Sequence, residues 1–215
     1  MPFAELLRRY LPEYGCQPEA ALVDALALYL TLVSEAQARL RLVGSTDPEV
    51  LVRRHAGESL ALLALRPLGA ERFVDLGSGA GFPGLVLALA RPALKTTLVE
   101  VTQKKAIFLR RAAAELGLSD RVEVVDRFIP RRPPDGERAP LAGATLVGVR
   151  ALDHMEDVPS WLDRWLDPAT QVAFWVNRER AEEWRRRHPA WRWGVFSPLP
   201  GACARGILLA APPRP

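Results

Sequence analysis

The chain has 215 residues, a length that suits one domain with a sizeable core or one domain with a small appendage. Hydrophobic residues make up 49% of the chain and charged residues 25%, which excludes an intrinsically disordered or fibrous protein. The formal net charge is +4, and most of the 29 basic residues are arginines, since the lysines are only Lys95, Lys104 and Lys105. This excess of arginine favours a polyanionic partner, with a solvated basic surface as the alternative.

Cysteine usage and apolar runs bear on the cellular location. Cys16 and Cys203 lie far apart, with no neighbouring cysteine or paired histidine at metal-ligand spacing, which is typical of thiols in a reducing compartment. No secretory signal is visible at the N-terminus, and no apolar run approaches the roughly 20 residues that span a bilayer. We therefore expect a cytoplasmic protein with no metal site and no membrane contact.

The chain opens with helices before any strand. Residues 3–11 show a short amphipathic pattern, and apolar residues recur at helical spacing from Pro18 to Leu40. Asp47 and Pro48 predict the start of a third helix, because aspartate accepts hydrogen bonds from free N–H groups at a cap and proline has no N–H to satisfy. Residues 1–68 are thus predicted to form a helical cap, and residues 69–215 the main domain.

Strands and helices then alternate along the chain. The predicted strands cover residues 73–75, 95–100, 122–125, 145–149, 172–176, 191–196 and 207–211. The predicted helices cover residues 84–90, 102–116, 157–166 and 178–188, and residues 129–143 are predicted to form an irregular loop. This alternation indicates a parallel sheet, and a last pair of strands without a crossover helix must be antiparallel. The expected fold is α/β and Rossmann-like, with a mostly parallel seven-stranded sheet and an antiparallel final strand.

The stretch from Phe73 to Gly84 has the pattern of a strand, a glycine turn and a helix, which is where α/β sheets bind ligands. Its Gly79-x-Gly81-x-x-Gly84 matches the dinucleotide fingerprint, so a nicotinamide or flavin enzyme is one interpretation. Asp75 at the strand end, the closer spacing Gly77-x-Gly79-x-Gly81 and the helical leader favour S-adenosylmethionine instead. Glu100 is placed to accept from both ribose hydroxyls in either interpretation.

Five motifs in order resemble the RsmG (GidB) family over Arg41 to Ala151. The motifs are Arg41-Leu42-Val43 followed by Asp47-Pro48-Glu49, Arg54-His55-x-x-Glu58-Ser59-Leu60, Asp75 to Gly84 with its Pro83-Gly84 end, Lys104-Lys105-x-x-Phe108-Leu109, and Arg150-Ala151. The resemblance implies a class I methyltransferase fold, and methyl transfer from S-adenosylmethionine to N7 of a guanine in the 530 loop of 16S ribosomal RNA. The implied partner is 16S rRNA or a precursor of the small ribosomal subunit, and we expect a monomer.

The resemblance also implies site residues. Cofactor contacts are expected at Gly77, Phe82, Phe128, Ile129 and Arg150, in addition to Asp75, Gly79, Gly81 and Glu100 from the turn and its acid. Arg150 is the candidate for orienting the substrate or the methionine carboxylate. No general base is expected, because guanine N7 carries a lone pair and no proton.

Basic residues outside the turn are candidates for RNA contact. RNA contacts are predicted for Arg53, Arg54, His55, Arg131 and Arg132, with the arginines binding phosphates, while a capping or packing role and a catalytic role both stay open for His55. The family's Asn and Thr are replaced by Arg41 and Val43, and its Leu-Lys-Gly after the fifth strand is missing. Two alternatives therefore stay open: a methyltransferase that acts on another substrate, and a catalytically silent RNA-binding homologue.

Overall fold

A single seven-stranded sheet forms the centre of the computed structural model, which describes residues 2–132, 140–151 and 158–214. The strand order is β3-β2-β1-β4-β5-β7-β6. The strands are β1 (Arg72–Leu76), β2 (Lys95–Val99), β3 (Val122–Val125), β4 (Leu146–Arg150), β5 (Gln171–Asn177), β6 (Arg192–Leu199) and β7 (Ala202–Ala211). The first five are parallel, and β7 is antiparallel to both β5 and β6. The predicted fold class is confirmed.

The sheet has a topological switch point beside β1. The chain first moves outward from β1 to β2 and β3, and later returns to place β4 on the other side of β1. The helices that follow the strands are α5 (Gly84–Ala90), α6 (Gln103–Glu115), α7 (Val158–Leu162) and α8 (Arg178–Arg187). Because the connections diverge here, a crevice opens at the carboxyl ends of β1 and β4.

Helices form the N-terminal part of the chain, as predicted. They are α1 (Pro2–Tyr10), α2 (Ala20–Leu40), α3 (Pro48–Val50) and α4 (Glu58–Leu65), with a 3-10 turn at Leu11–Tyr14. The expected cap at Asp47 is confirmed, because its Oδ1 accepts hydrogen bonds from Glu49 N at 2.9 Å and Val50 N at 3.0 Å. Between α3 and α4 the chain forms a π-helical segment, Leu51–Gly57, where the periodicity predicted ordinary helix.

The N-terminal helices and the sheet share one hydrophobic core. Leu7 and Leu26 of the helices belong to the same buried cluster as Phe73 and Leu98 of the sheet. The division of the chain into two domains at residue 68 therefore stays a prediction.

Helix α2 differs from the expectation that no apolar run is long enough to span a bilayer. Its 21 residues are long and apolar enough to cross a membrane, with a mean hydropathy of 1.3. Its buried side chains pack in this core, which accounts for its apolar composition.

The other face of the sheet has a second core rich in tryptophan, in which the Phe174 and Trp184 rings pack edge to face with their centroids 4.8 Å apart.

The start of the last strand differs from the prediction. The last strand begins at Ala202, five residues early, because a tight turn at Gly201 pairs Leu199 with Ala202. The predicted helix start at residue 157 and residues 133–139 of the predicted loop lie outside the described residues.

Candidate functional site

A cavity of about 580 Å³ opens at the carboxyl edge of β1, β2 and β4. This volume is within the range of small-molecule sites, roughly 300–1,000 Å³. The structure brings nine of the predicted site residues to its wall: Gly77, Gly79, Phe82, Glu100, Phe128, Ile129, Arg131, Arg150 and His55. Five others, Asp75, Gly81, Arg53, Arg54 and Arg132, do not line it.

The turn after β1 forms the floor of the cavity. Gly79 and Gly81 have φ angles of +56° and +101°, in the left-handed region that side chains disfavour. A Cβ atom on Gly81 would also lie 2.8 Å from the Tyr29 hydroxyl and from Leu85 Cδ1. The turn therefore requires glycine, and it leaves bare backbone facing the cavity at Gly79.

Glu100 follows β2 and fixes a carboxylate in the cavity wall. Its Oε2 accepts a hydrogen bond from Gly79 N at 2.8 Å, and its Oε1 accepts from Thr102 N at 2.7 Å. Each carboxylate oxygen has a second lone pair for another donor. This buried, immobilised acid fits the hydroxyl pair of a ribose, as the sequence predicts.

Asp75 lies behind the turn rather than at the cavity. Its Oδ2 accepts a hydrogen bond from Gly84 N at 2.9 Å, at the start of α5, and its Oδ1 has no partner among the described residues. Burial is the main cause that raises the pKa of Asp75 to about 7. In this position Asp75 holds the glycine turn against the helix.

An apolar wall closes the end of the cavity beyond Glu100. Phe128 and Val101 are 67% and 63% exposed, and both line the cavity with the buried Ile129. Ligand pockets are lined mostly by apolar and aromatic side chains with a few polar groups. The positions of Phe128 and Ile129 near Glu100 fit the adenine contacts predicted for them. The sequence did not predict that Val101 also lines the cavity.

Arg150 ends β4 and binds the N-terminal helices. Its Nη2 donates to Glu58 Oε2 at 2.9 Å and to the Arg54 carbonyl, and its Nη1 donates to Ser59 Oγ at 3.2 Å and to the His55 carbonyl at 3.4 Å. The guanidinium is buried yet reaches the cavity wall. The predicted contact of Arg150 with cofactor or substrate stays a prediction.

Glu58 and Arg205 complete this charged cluster. Arg205 Nη2 donates to Glu58 Oε1 at 2.7 Å, so that one buried carboxylate joins two arginines. Arg205 lies opposite Asn177 in the antiparallel pairing and thus places a cation next to the segment where the family's lysine is missing. Glu58 belongs to a motif that resembles the family, but neither the resemblance nor the sequence pattern predicts its pairing with Arg150 and Arg205.

Three aromatic rings lead from the core to the cavity. The Tyr29 and Phe82 centroids are 5.1 Å apart, and those of Phe82 and His55 are 4.9 Å apart. The Tyr29 hydroxyl donates to the Ala80 carbonyl at 2.7 Å, which connects the stack to the glycine turn. Burial, followed by the charges of Arg150 and Arg54, lowers the pKa of His55 to about 3, so its imidazole is neutral.

The basic residues predicted to contact RNA differ in their surroundings. Arg53 donates to Glu49 at 3.1 Å and to Glu13 at 3.4 Å, and its guanidinium lies over the Tyr10 ring. Arg54 and Arg132 are exposed, and Arg131 lines the cavity. The predicted RNA contact of Arg53 competes with these ion pairs.

Comparison with known proteins identifies the family. The model of the family described as rRNA small subunit methyltransferase G, GidB, matches residues 23–197. The chain belongs to this family. A ribosomal RNA small subunit methyltransferase G of a Methylobacterium species is 35% identical over 190 residues, which cover 85% of this chain and 84% of that protein.

Other similarities are shorter or more distant. A methyltransferase G of Sorangium cellulosum is 46% identical over 112 residues, 51% of this chain, and the match spans only 47% of that relative. The chain thus spans about half the length of some curated relatives that it matches. A crystal structure of a mutant of MtNAS in complex with S-adenosylmethionine is 17% identical, with a TM-score of 0.61 over 90% of this chain and 77% of that one. This similarity supports the class I methyltransferase fold.

Proposed function

We propose that the chain transfers a methyl group from S-adenosylmethionine to N7 of a guanine in the 530 loop of 16S ribosomal RNA. Membership of the rRNA small subunit methyltransferase G family supports the reaction class. The structural observation that carries the proposal is the Glu100 carboxylate, fixed against the backbone of the glycine turn in a cavity of ligand size.

The cavity residues fit the parts of the proposed cofactor. Glu100 would accept from the ribose hydroxyls, while Val101, Phe128 and Ile129 would enclose the adenine. Gly77 and Gly79 allow the ligand to lie against bare backbone. When bound, S-adenosylmethionine supplies a methyl group on a positively charged sulfur. Arg150 borders the same space from β4 and remains the candidate for contact with the methionine carboxylate.

The protein's contribution to the reaction would be positioning. Guanine N7 has a free lone pair and no proton, so the chain needs no general base, and the neutral His55 is not required as one. Holding two reactants in line at about 3 Å can remove several kcal/mol from a barrier. The groups that would hold the base belong to the cap, where Leu42, Val43 and His55 line the same cavity as the glycine turn.

The proposed partner is 16S rRNA, alone or in a precursor of the small subunit. A base in an RNA loop is accessible because it can be turned out of its stack. The exposed Arg54 and Arg132 and the cavity-lining Arg131 would contact phosphates near the entrance. We propose that the protein acts in the cytoplasm, as a monomer.

Calorimetric titration with S-adenosylmethionine and separately with NADH tests the cofactor, and Gly79→Asp tests the site. The new carboxylate would lie next to Glu100, whose Oε2 is bonded to Gly79 N, so we expect S-adenosylmethionine to bind at least 10-fold more weakly. Gly79→Asn is the matched control, because asparagine tolerates the same left-handed backbone without charge. Gly79→Asn should lose distinctly less affinity for S-adenosylmethionine than Gly79→Asp.

Mapping of methylated guanines in 16S rRNA then tests the substrate. Methylation at N7 of a 530-loop guanine by the wild-type protein is the expected result. Cofactor binding without RNA methylation would instead support a methyltransferase on another substrate. Binding of neither cofactor would support a silent RNA-binding homologue, and NADH binding alone would contradict the proposed class.

A further inference from the structure

His55 is the cavity end of the stack formed with Phe82 and Tyr29. Tyr29 is fully buried and Phe82 is 6% exposed, whereas His55 is half-buried and lines the cavity. The His55 and Phe82 planes are inclined by 34° with their centroids 4.9 Å apart, so the imidazole packs against the phenyl ring in a tilted arrangement. The ring is therefore packed against an aromatic neighbour, while the residue still lines the cavity.

The backbone of His55 is fixed as firmly as its ring. Its carbonyl accepts hydrogen bonds from Ser59 Oγ at 2.6 Å and from Arg150 Nη1 at 3.4 Å. It lies in the π-helical segment Leu51–Gly57, and such segments often occur at functional sites because they redirect side chains. The Arg150 contact also ties His55 to β4, across the cavity edge.

The imidazole has hydrogen-bonding capacity that the described part of the chain does not use. Among the residues that the structure describes, no partner is found for either ring nitrogen. Burial, with the positive charges of Arg150, Arg54 and Arg205, lowers the pKa of His55 and keeps the ring neutral, although Glu58 is paired with two of these arginines. A neutral imidazole has one N–H donor and one acceptor. It offers a donor without adding positive charge beside a cationic cofactor.

We propose that the His55 ring N–H donates a hydrogen bond to O6 of the target guanine, so that His55 reads the base whose N7 is methylated. This inference rests on the function proposed above. Guanine presents O6 and N7 as adjacent acceptors on one edge, so a donor to O6 fixes that edge and leaves the N7 lone pair free. His55 would thus favour guanine over adenine, which carries an amino group at that position.

The arrangement of the cavity supports this assignment over Arg150. Both terminal nitrogens of Arg150 already donate within the protein, to Glu58, Ser59 and backbone carbonyls. The sheet side of the cavity carries the groups that fit the cofactor, so the base has to enter from the cap side. Of the cap residues that line the cavity in the described part of the chain, His55 is the polar one, and Leu42 and Val43 are apolar.

The test combines two variants with three RNA substrates. His55→Phe keeps an aromatic ring on Phe82 but has no donor, and His55→Gln restores a donor without the ring. The substrates are RNA hairpins with guanine, inosine or 2-aminopurine at the target. Inosine keeps O6, whereas 2-aminopurine lacks it. The readouts are kcat/KM, hairpin affinity by fluorescence anisotropy without cofactor, and calorimetric affinity for S-adenosylmethionine.

On guanine and inosine, His55→Phe should lower kcat/KM and hairpin affinity by roughly 3- to 10-fold, the effect of one hydrogen bond. On the 2-aminopurine hairpin, which lacks O6, His55→Phe and the wild type should have the same kcat/KM and hairpin affinity. The affinity of His55→Phe for S-adenosylmethionine should equal that of the wild type. His55→Gln should recover part of the loss on guanine.

Equal losses on all three substrates would overturn the proposal and indicate a packing role for His55. So would full activity of His55→Phe on guanine. Failure of the wild-type protein to methylate any hairpin, 16S rRNA or a precursor of the small subunit would instead contradict the proposed function. If His55→Phe does not fold, the comparison of His55→Gln with the wild type across the three substrates decides.

Discussion

At the scale of single residues, Asp75 shows how a site can be held together from behind. A carboxyl group that is buried and bonded through one oxygen is costly in its ionised form, because desolvation penalises the charge. Its remaining oxygen faces the interior without a partner among the described residues. The residue type matches the family motif, yet its position indicates that it supports the turn.

Asp75→Asn should change how stability depends on pH. Burial raises the pKa of Asp75 to about 7, so between pH 4 and 7 the folded protein keeps a proton that the unfolded chain has lost. The Asp75 contribution to the free energy of unfolding therefore falls as pH rises through this range and is level above it. The difference in free energy of unfolding between the variant and the wild type should therefore change by about 2–4 kcal/mol in favour of the variant from pH 4 to pH 8, since one pKa unit corresponds to about 1.4 kcal/mol.

Urea unfolding over a pH series measures this difference. Asp120→Asn serves as the control, because it removes a carboxylate that is exposed rather than buried. Its plot of unfolding free energy against pH should run parallel to that of the wild type. If the Asp75→Asn and wild-type curves were also parallel, Asp75 would be ionised in the folded protein throughout.

At the scale of elements, the helical stretch from Pro48 to Leu65 contains a detail that the sequence pattern did not predict. Its apolar period and its Asp47 cap were predictable, because both are local signals. The π-helical segment was not, because it depends on packing with distant residues. Gly57, the last residue of this segment, packs closely against a residue that is distant in sequence. A Cβ atom at Gly57 would lie 2.5 Å from Cε2 of the buried Tyr14.

Gly57→Ala should destabilise the protein by about 2 kcal/mol, since overpacking a core typically costs 1–3 kcal/mol. Gly44→Ala is the matched control, because no heavy atom lies within 4 Å of the added carbon, and its effect should stay within about 0.5 kcal/mol. Thermal or urea unfolding distinguishes the two. Similar values for both variants would show that the Tyr14 ring moves aside at little cost.

At the scale of the whole molecule, the proposed RNA site combines a positive net charge with arginines around one cavity. The arginines are not equivalent, because several are engaged in ion pairs with carboxylates. Arg111, for example, bonds Glu115 at 2.6 Å on α6, whereas no ion pair of the exposed Arg54 is found among the residues that the structure describes. Net charge alone therefore does not locate the RNA-binding surface.

Salt dependence of RNA affinity should separate these arginines. Each phosphate contact adds about 0.7–0.9 to the slope of log affinity against log salt. Arg54→Gln and Arg132→Gln should each reduce the slope of the wild type by about that amount. Arg111→Gln removes the same charge and should leave the slope nearly unchanged, and filter binding at several salt concentrations measures all three. Equal slopes for every variant would place the RNA surface elsewhere.

The sequence by itself determined the order of strands and helices, the glycine turn and the acid after β2. These are local signals, because hydrophobic period, capping residues and turn glycines act within a few residues. The tertiary structure alone decided which partners those elements present to one another. Glu58 binds arginines 92 and 147 positions away, and His55 rests on Phe82 at the end of a stack that starts in α2. Contacts over such separations depend on how packed elements meet in space, which no local pattern encodes.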